Sequence, residues 1–204
     1  MKLFLPILLF LAVSPYMSFS QFGIKGGLNF AKVTKASNVN ADNSTGFHAG
    51  VFLAPQSRNI LGFRTELIFS RQGYDFKSGS TTGSVKLDYI LLPQLMEINI
   101  TKFVAIQLGA QMAFLLSAKA DSSKPASTGN AQADKIIELM NRFDYGAAGG
   151  VEIHPFKGML IGARVNISFG NLYKDPTGMT TYQNFFPEVD AKNNVVQVFA
   201  GYRF

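Results

Sequence analysis

The chain has no cysteine and no tryptophan, and only 16% of its residues are charged. Zero cysteine excludes a disulfide framework, thiolate-bound zinc or iron–sulfur clusters, and a cysteine nucleophile. Average chains carry roughly 25% charged residues. The shortage argues against disorder, which needs low hydrophobicity with high net charge. Beyond the first residues no apolar run approaches the ~20 residues of a membrane-spanning helix. What is present is 47% hydrophobic residues, 19 Gly and 19 Phe in 204 residues. An apolar chain rich in Gly and Phe, without a spanning helix, points to many strands. No linker or composition shift divides it, so one domain is expected.

The first 20 residues read as an address. Lys2 is followed by the apolar run Leu3 to Val13, and then by small residues up to Ser18-Phe19-Ser20. A charged start, an apolar middle and a small-residue exit describe a cleaved secretory signal. The mature chain is then 21–204, with 18 Lys+Arg (19 less Lys2) against 13 Asp+Glu, net +5.

That chain alternates with a period of two, the signature of strands with two environments. Phe22, Ile24, Gly26, Leu28 and Phe30 oppose Gly23, Lys25, Gly27 and Asn29. Phe63, Thr65, Leu67 and Phe69 oppose Arg64, Glu66, Ile68 and Ser70. Leu87, Tyr89, Leu91 and Leu95 are expected on the apolar face of a fourth run, with Asp88 and Gln94 opposite. Eight such runs of roughly ten residues suit tilted membrane strands. The second face carries Gly and Ala with a few charges, as a cramped interior does. A face turned to water would be rich in Lys, Glu and Thr.

Connections alternate as well. Pro55–Asn59, Asn99–Phe103 and Pro155–Gly158 are short. Val33–Ser44, Tyr74–Ser84, Asp121–Met140 and Lys174–Asn193 read as long polar loops. Short turns on one side and long loops on the other follow the rule for outer-membrane barrels.

Inward charges must pair. The expected lumen network is Lys25, Arg64, Glu66, Asp88, Asp144, Glu152 and Arg164, with Arg203 also facing inward. Reading these carboxylates as a catalytic pair is the weaker alternative. A barrel hydrolase would join His48 or His154 to Ser70 or Ser168, but no nucleophile motif surrounds any serine. Two histidines and dispersed acids do not make a metal site, and Gly23, Gly26 and Gly27 do not make a dinucleotide fingerprint. No cofactor is expected.

The opening Phe22-Gly23-Ile24-Lys25-Gly26-Gly27-Leu28-Asn29-Phe30 resembles the first strand of the PorT-like small outer-membrane β-barrel proteins of Gram-negative bacteria. Leu87-Asp88-Tyr89-Ile90-Leu91-Leu92-Pro93 resembles their fourth strand, and Gln107-Leu108-Gly109-Ala110-Gln111 with Leu115-Leu116-Ser117-Ala118-Lys119 their fifth. Val198, Ala200, Tyr202 and Phe204 look like the closing-strand signal read by the barrel-insertion machinery. The family's roles are diverse, and some relatives are linked to protein secretion.

The pI of about 9.5 reflects basic residues in and beside the long loops rather than a nucleic-acid surface. There they meet lipopolysaccharide phosphates or simply keep the loops solvated. The reading is an all-β, exported, monomeric, eight-stranded antiparallel up-and-down transmembrane barrel. It implies a non-enzymatic structural or interaction role through the long loops. The partners are outer-membrane lipids, lipopolysaccharide, the insertion machinery and an unidentified envelope protein. A narrow porin or secretion accessory is the alternative, and a membrane-embedded lipid hydrolase the weaker one.

Overall fold

A computed structural model of the chain describes residues 20–34, 40–55, 60–78, 81–122, 141–170 and 192–204. The expected signal segment lies outside them, apart from Ser20. Eight strands run β1 (Ser20–Thr34), β2 (Asn40–Pro55), β3 (Leu61–Ser78), β4 (Thr81–Asn99), β5 (Val104–Ser122), β6 (Phe143–Ile153), β7 (Met159–Ser168) and β8 (Lys192–Arg203). Each pairs antiparallel with the next. β1 closes the cylinder against β8, from Gly23 opposite Arg203 to Thr34 opposite Lys192. Across the apolar belt closure leaves no unpaired edge, which is what hydrocarbon demands of a strand protein.

Burial alternates along the strands, and the apolar row lies outside. Leu28, Phe63, Leu67, Leu108, Val151, Val165 and Val198 are all between 45% and 59% exposed. Rings crowd both ends of this belt. Phe22 stacks on Phe204 at 5.9 Å near the short turns. Phe47 with Phe69 at 6.0 Å, and Phe114 with Phe143 at 5.3 Å, mark the other end. Such girdles sit at membrane–water interfaces.

Two expectations need correction. The segment Tyr74–Ser84 is strand, because Gly73 to Ser78 pair with Lys86 to Thr81, and only residues 79–80 lie between β3 and β4. Likewise β2 already begins at Asn40. Polar residues there read as loop, yet an antiparallel ladder continues beyond the apolar belt without needing apolar side chains. The wall is consequently taller over β3–β5, whose strands have 18, 19 and 19 residues against 11 and 10 in β6 and β7.

The second correction concerns the faces of β4. Leu87, Tyr89, Leu91, Leu95 and Glu97 are inside and buried, while Gln94 and Asp88 are on the outer row. Both rows of β4 are largely apolar, so alternation alone could not orient it. Register decides: Ile68 and Ala113, inward on β3 and β5, both stand opposite Leu91. A bulge follows, since Asp88 pairs with Ser117 but Tyr89 with Leu115. The extra residue keeps Leu115 and Ala118 both buried.

Candidate functional site

The lumen is filled by an ionic cluster in the half nearer the short turns. Glu66 on β3 accepts from Lys25 Nζ at 3.0 and 3.2 Å, and from Arg164 Nη1 and Nη2 at 2.6 and 2.9 Å. Glu152 on β6 accepts from Arg64 Nη1 and Nη2 at 2.7 and 2.9 Å, and from Gln107 Nε2 at 2.8 Å. Arg64 also reaches Glu97 on β4 at 2.5 Å, and Arg203 on β8 reaches the same carboxylate at 3.3 Å. Arg164 Nη2 donates to Gln107 Oε1 at 2.6 Å and so links the two halves of the cluster. Four cations therefore face three carboxylates.

Two rings complete the packing. Lys25 Nζ lies 3.9 Å from the Phe199 centroid, and Arg64 Cζ lies 4.6 Å from that of Phe52. Cations gain from ring faces most where water is excluded. Side chains of Lys25, Arg64, Glu66, Glu152 and Arg164 have no solvent-exposed surface. Gly162 makes room for Phe199: a Cβ there would stand 2.6 Å from the ring and 2.8 Å from the Val151 carbonyl oxygen.

Toward the long loops the lumen turns neutral and Asn29 is its hub. Its Oδ1 accepts from His48 Nδ1 at 2.8 Å and Gln197 Nε2 at 3.0 Å. Its Nδ2 donates to Ser70 Oγ at 2.9 Å and to the Arg71 carbonyl oxygen at 2.7 Å.

An apolar belt with an ionic interior is the reverse of a water-soluble core. Residues 14–174 match the family model described as outer membrane protein beta-barrel domain. The chain belongs to this family. Its place is the bacterial outer membrane.

The outer-membrane barrel resembles several solved structures in fold. Ail, the attachment invasion locus protein of Yersinia pestis, is 16% identical, with 91% of this chain and 99% of that one covered and a TM-score of 0.50. Neisserial surface protein A is 16% identical over 90% of this chain and 97% of that one, with a TM-score of 0.49. OprG from Pseudomonas aeruginosa is 13% identical over 91% and 96%, with a TM-score of 0.47. No curated protein matches the outer-membrane barrel.

The structure brings Lys25, Arg64, Glu66, Glu152 and Arg164 into one cluster. Asp144 is not in it. It lies at the long-loop end of β6, where Ser168 Oγ and Gly170 N donate to it, the latter at 3.1 Å. Asp88 is outside the lumen altogether, paired with Arg71 at 2.7 Å on the outer wall. Its displacement follows from the reversed faces of β4. The same reversal hid Glu97, which sits two residues beyond Leu95 on the inward row. That shared parity was the available signal. Val198, Ala200, Tyr202 and Phe204 form one exposed outer row.

Enzyme-like pairings do not form among the described residues. His48 stands opposite Ser70 in the register, yet its Nδ1 is given to Asn29 and its Nε2 has no partner. His154 Nε2 bonds Glu152 Oε1 at 2.7 Å, while Ser168 bonds Asp144. Glu97, Glu152 and His154 do bring three ligand atoms within 4.8 Å of one another. The donor types suit a divalent cation, but the space between the two carboxylates belongs to the Arg64 guanidinium. A metal ion there would have to displace a buried, fully charged arginine.

Proposed function

We propose that this protein is a PorT-like, non-enzymatic barrel whose lumen is sealed and whose work is done by its outer surface and loop end. One observation carries the reading. The Lys25–Glu66–Arg164–Gln107–Glu152–Arg64–Glu97 chain crosses the lumen with its charges internally paired. Eight strands leave an interior that side chains can fill, and here they do. Opening a path would strip several charges of their partners at once.

The role assigned to the exterior is structural or interactive. Basic residues beside the long loops engage phosphates of outer-leaflet lipopolysaccharide, and the loops present a surface to an envelope protein. Residues 1–20 act as a cleaved export signal, leaving 21–204 as the barrel domain. The outward row Val198, Ala200, Tyr202 and Phe204 serves the insertion machinery.

Planar-bilayer recording with purified, folded protein tests the sealed lumen. The expected trace stays at baseline, without discrete openings. Steady openings in the wild-type protein would favour the narrow porin instead.

A further inference from the structure

We infer that the outer wall of β3 and β4 carries a binding site for the phosphate of an outer-leaflet glycolipid, built from Arg71 and Lys86. It rests on the outer-leaflet reading above and gives that reading an address.

Arg71 and Asp88 form an ion pair on the outer wall, apart from the ionic cluster of the lumen. Arg71 Nε donates to Asp88 Oδ1 at 2.7 Å, and Nη2 to Oδ2 at 3.0 Å. The Arg71 side chain keeps 42% exposure, against 16% for Asp88. The fork consumes Nε and Nη2 and leaves Nη1 without an acceptor among the described residues. The guanidinium carbon lies 5.3 Å from the Phe47 centroid, and Phe47 packs on Phe69. The cation therefore rests on the aromatic girdle at the long-loop end, where hydrocarbon gives way to headgroups.

Lys86 is the next outward residue beyond Asp88 on β4, and it is exposed. It makes no ion pair among the described residues. In the register it stands between Gly73 on β3 and Lys119 on β5. Diagonal neighbours across two strands lie within reach of long side chains, so Arg71 and Lys86 can close on one anion. Asp88 neutralises one of the two charges, so Arg71, Asp88 and Lys86 together carry a net positive charge on the outer wall. A phosphate meets both donors well: the planar guanidinium offers directed N–H groups and the ammonium a compact point charge. A merely structural pair explains Arg71 and Asp88, but not the exposed lysine one outward position beyond them, which makes no ion pair among the described residues.

The test uses the full-length barrel, folded in detergent micelles. Native mass spectrometry counts retained diphosphorylated lipid A against its dephosphorylated form. Wild type should retain the phosphorylated form roughly tenfold better, the size expected for one charge-assisted contact. Arg71→Gln combined with Lys86→Gln should abolish that preference, while Lys157→Gln at the β6–β7 turn should keep it. Asp88→Asn should raise retention above wild type, because it frees the Arg71 fork. A purely structural pair predicts no rise. Unchanged retention in the double variant overturns the site and leaves the outer-leaflet reading standing. Should that variant not fold, unchanged retention in Asp88→Asn overturns the site in its place. A wild-type barrel indifferent to the phosphates overturns both.

Discussion

Arg64 on β3 and Glu152 on β6 meet through two hydrogen bonds of 2.7 and 2.9 Å across 88 residues of sequence. Neither strand neighbours the other in the sheet. The pair is therefore a strut through the lumen rather than a rung along its wall. Gln107 from β5 and, through Glu97, Arg203 from β8 brace it further.

Removing this strut leaves charges stranded. Arg64→Met takes the shared cation from Glu97 and Glu152 together. Breaking a buried pair from one side costs about 3–5 kcal/mol. Urea unfolding in lipid vesicles, followed by gel mobility of unheated samples, should show a loss of that order. An effect near zero would mean that water reaches the carboxylates.

Gly162→Ala is a sharper probe of packing than its size suggests. The new methyl group would stand 2.6 Å from the Phe199 ring. Overpacking of this kind costs roughly 1–3 kcal/mol. Combining it with Phe199→Leu should recover part of the loss, which unfolding midpoints of the two single variants and the double variant would reveal. The inward glycine is thus less tolerant than an empty lumen would allow.

The lipid side obeys a different rule. Val165 is 45% exposed on the outer row of β7. Val165→Arg should cost about 2–4 kcal/mol near the midplane, measured by folding equilibria in bilayers. Equal stability of variant and wild type would place Val165 away from hydrocarbon.

Asn29 holds the neutral half of the lumen. Asn29→Ala leaves His48 Nδ1, Gln197 Nε2 and Ser70 Oγ each short of a contact. Orphaned buried polar groups cost about 1–3 kcal/mol each. The loss should appear in thermal unfolding. His48→Ala should leave any lipid turnover at background, because His48 serves this hydrogen-bond cluster.

Seven of the eight strand faces could be read from alternation, because one row carried charge or glycine and the other carried bulk. β4 could not, since Leu91 and Leu92 are equally apolar and only the neighbouring strands tell them apart. That ambiguity puts Asp88 on the wrong face and leaves Glu97 without a signal of its own. Tyr74–Ser84 reads as a loop for a related reason. Above the membrane a strand is held by its backbone ladder, and Ser, Thr and Gly there carry no strand pattern. The cluster of Lys25, Glu66 and Arg164 was legible because each interrupts an otherwise small or apolar row.

The absence of cysteine makes the central claim directly measurable. Single cysteines placed along β4 and β7 can carry a nitroxide without competing thiols. Oxygen accessibility in bilayers should peak at Leu92, Met96, Val165 and Ile167, and fall at Leu91, Leu95, Leu160 and Asn166. Peaks at Leu91 and Leu95, or no two-residue period on β7, would contradict a lipid-wrapped barrel with its ionic groups inside.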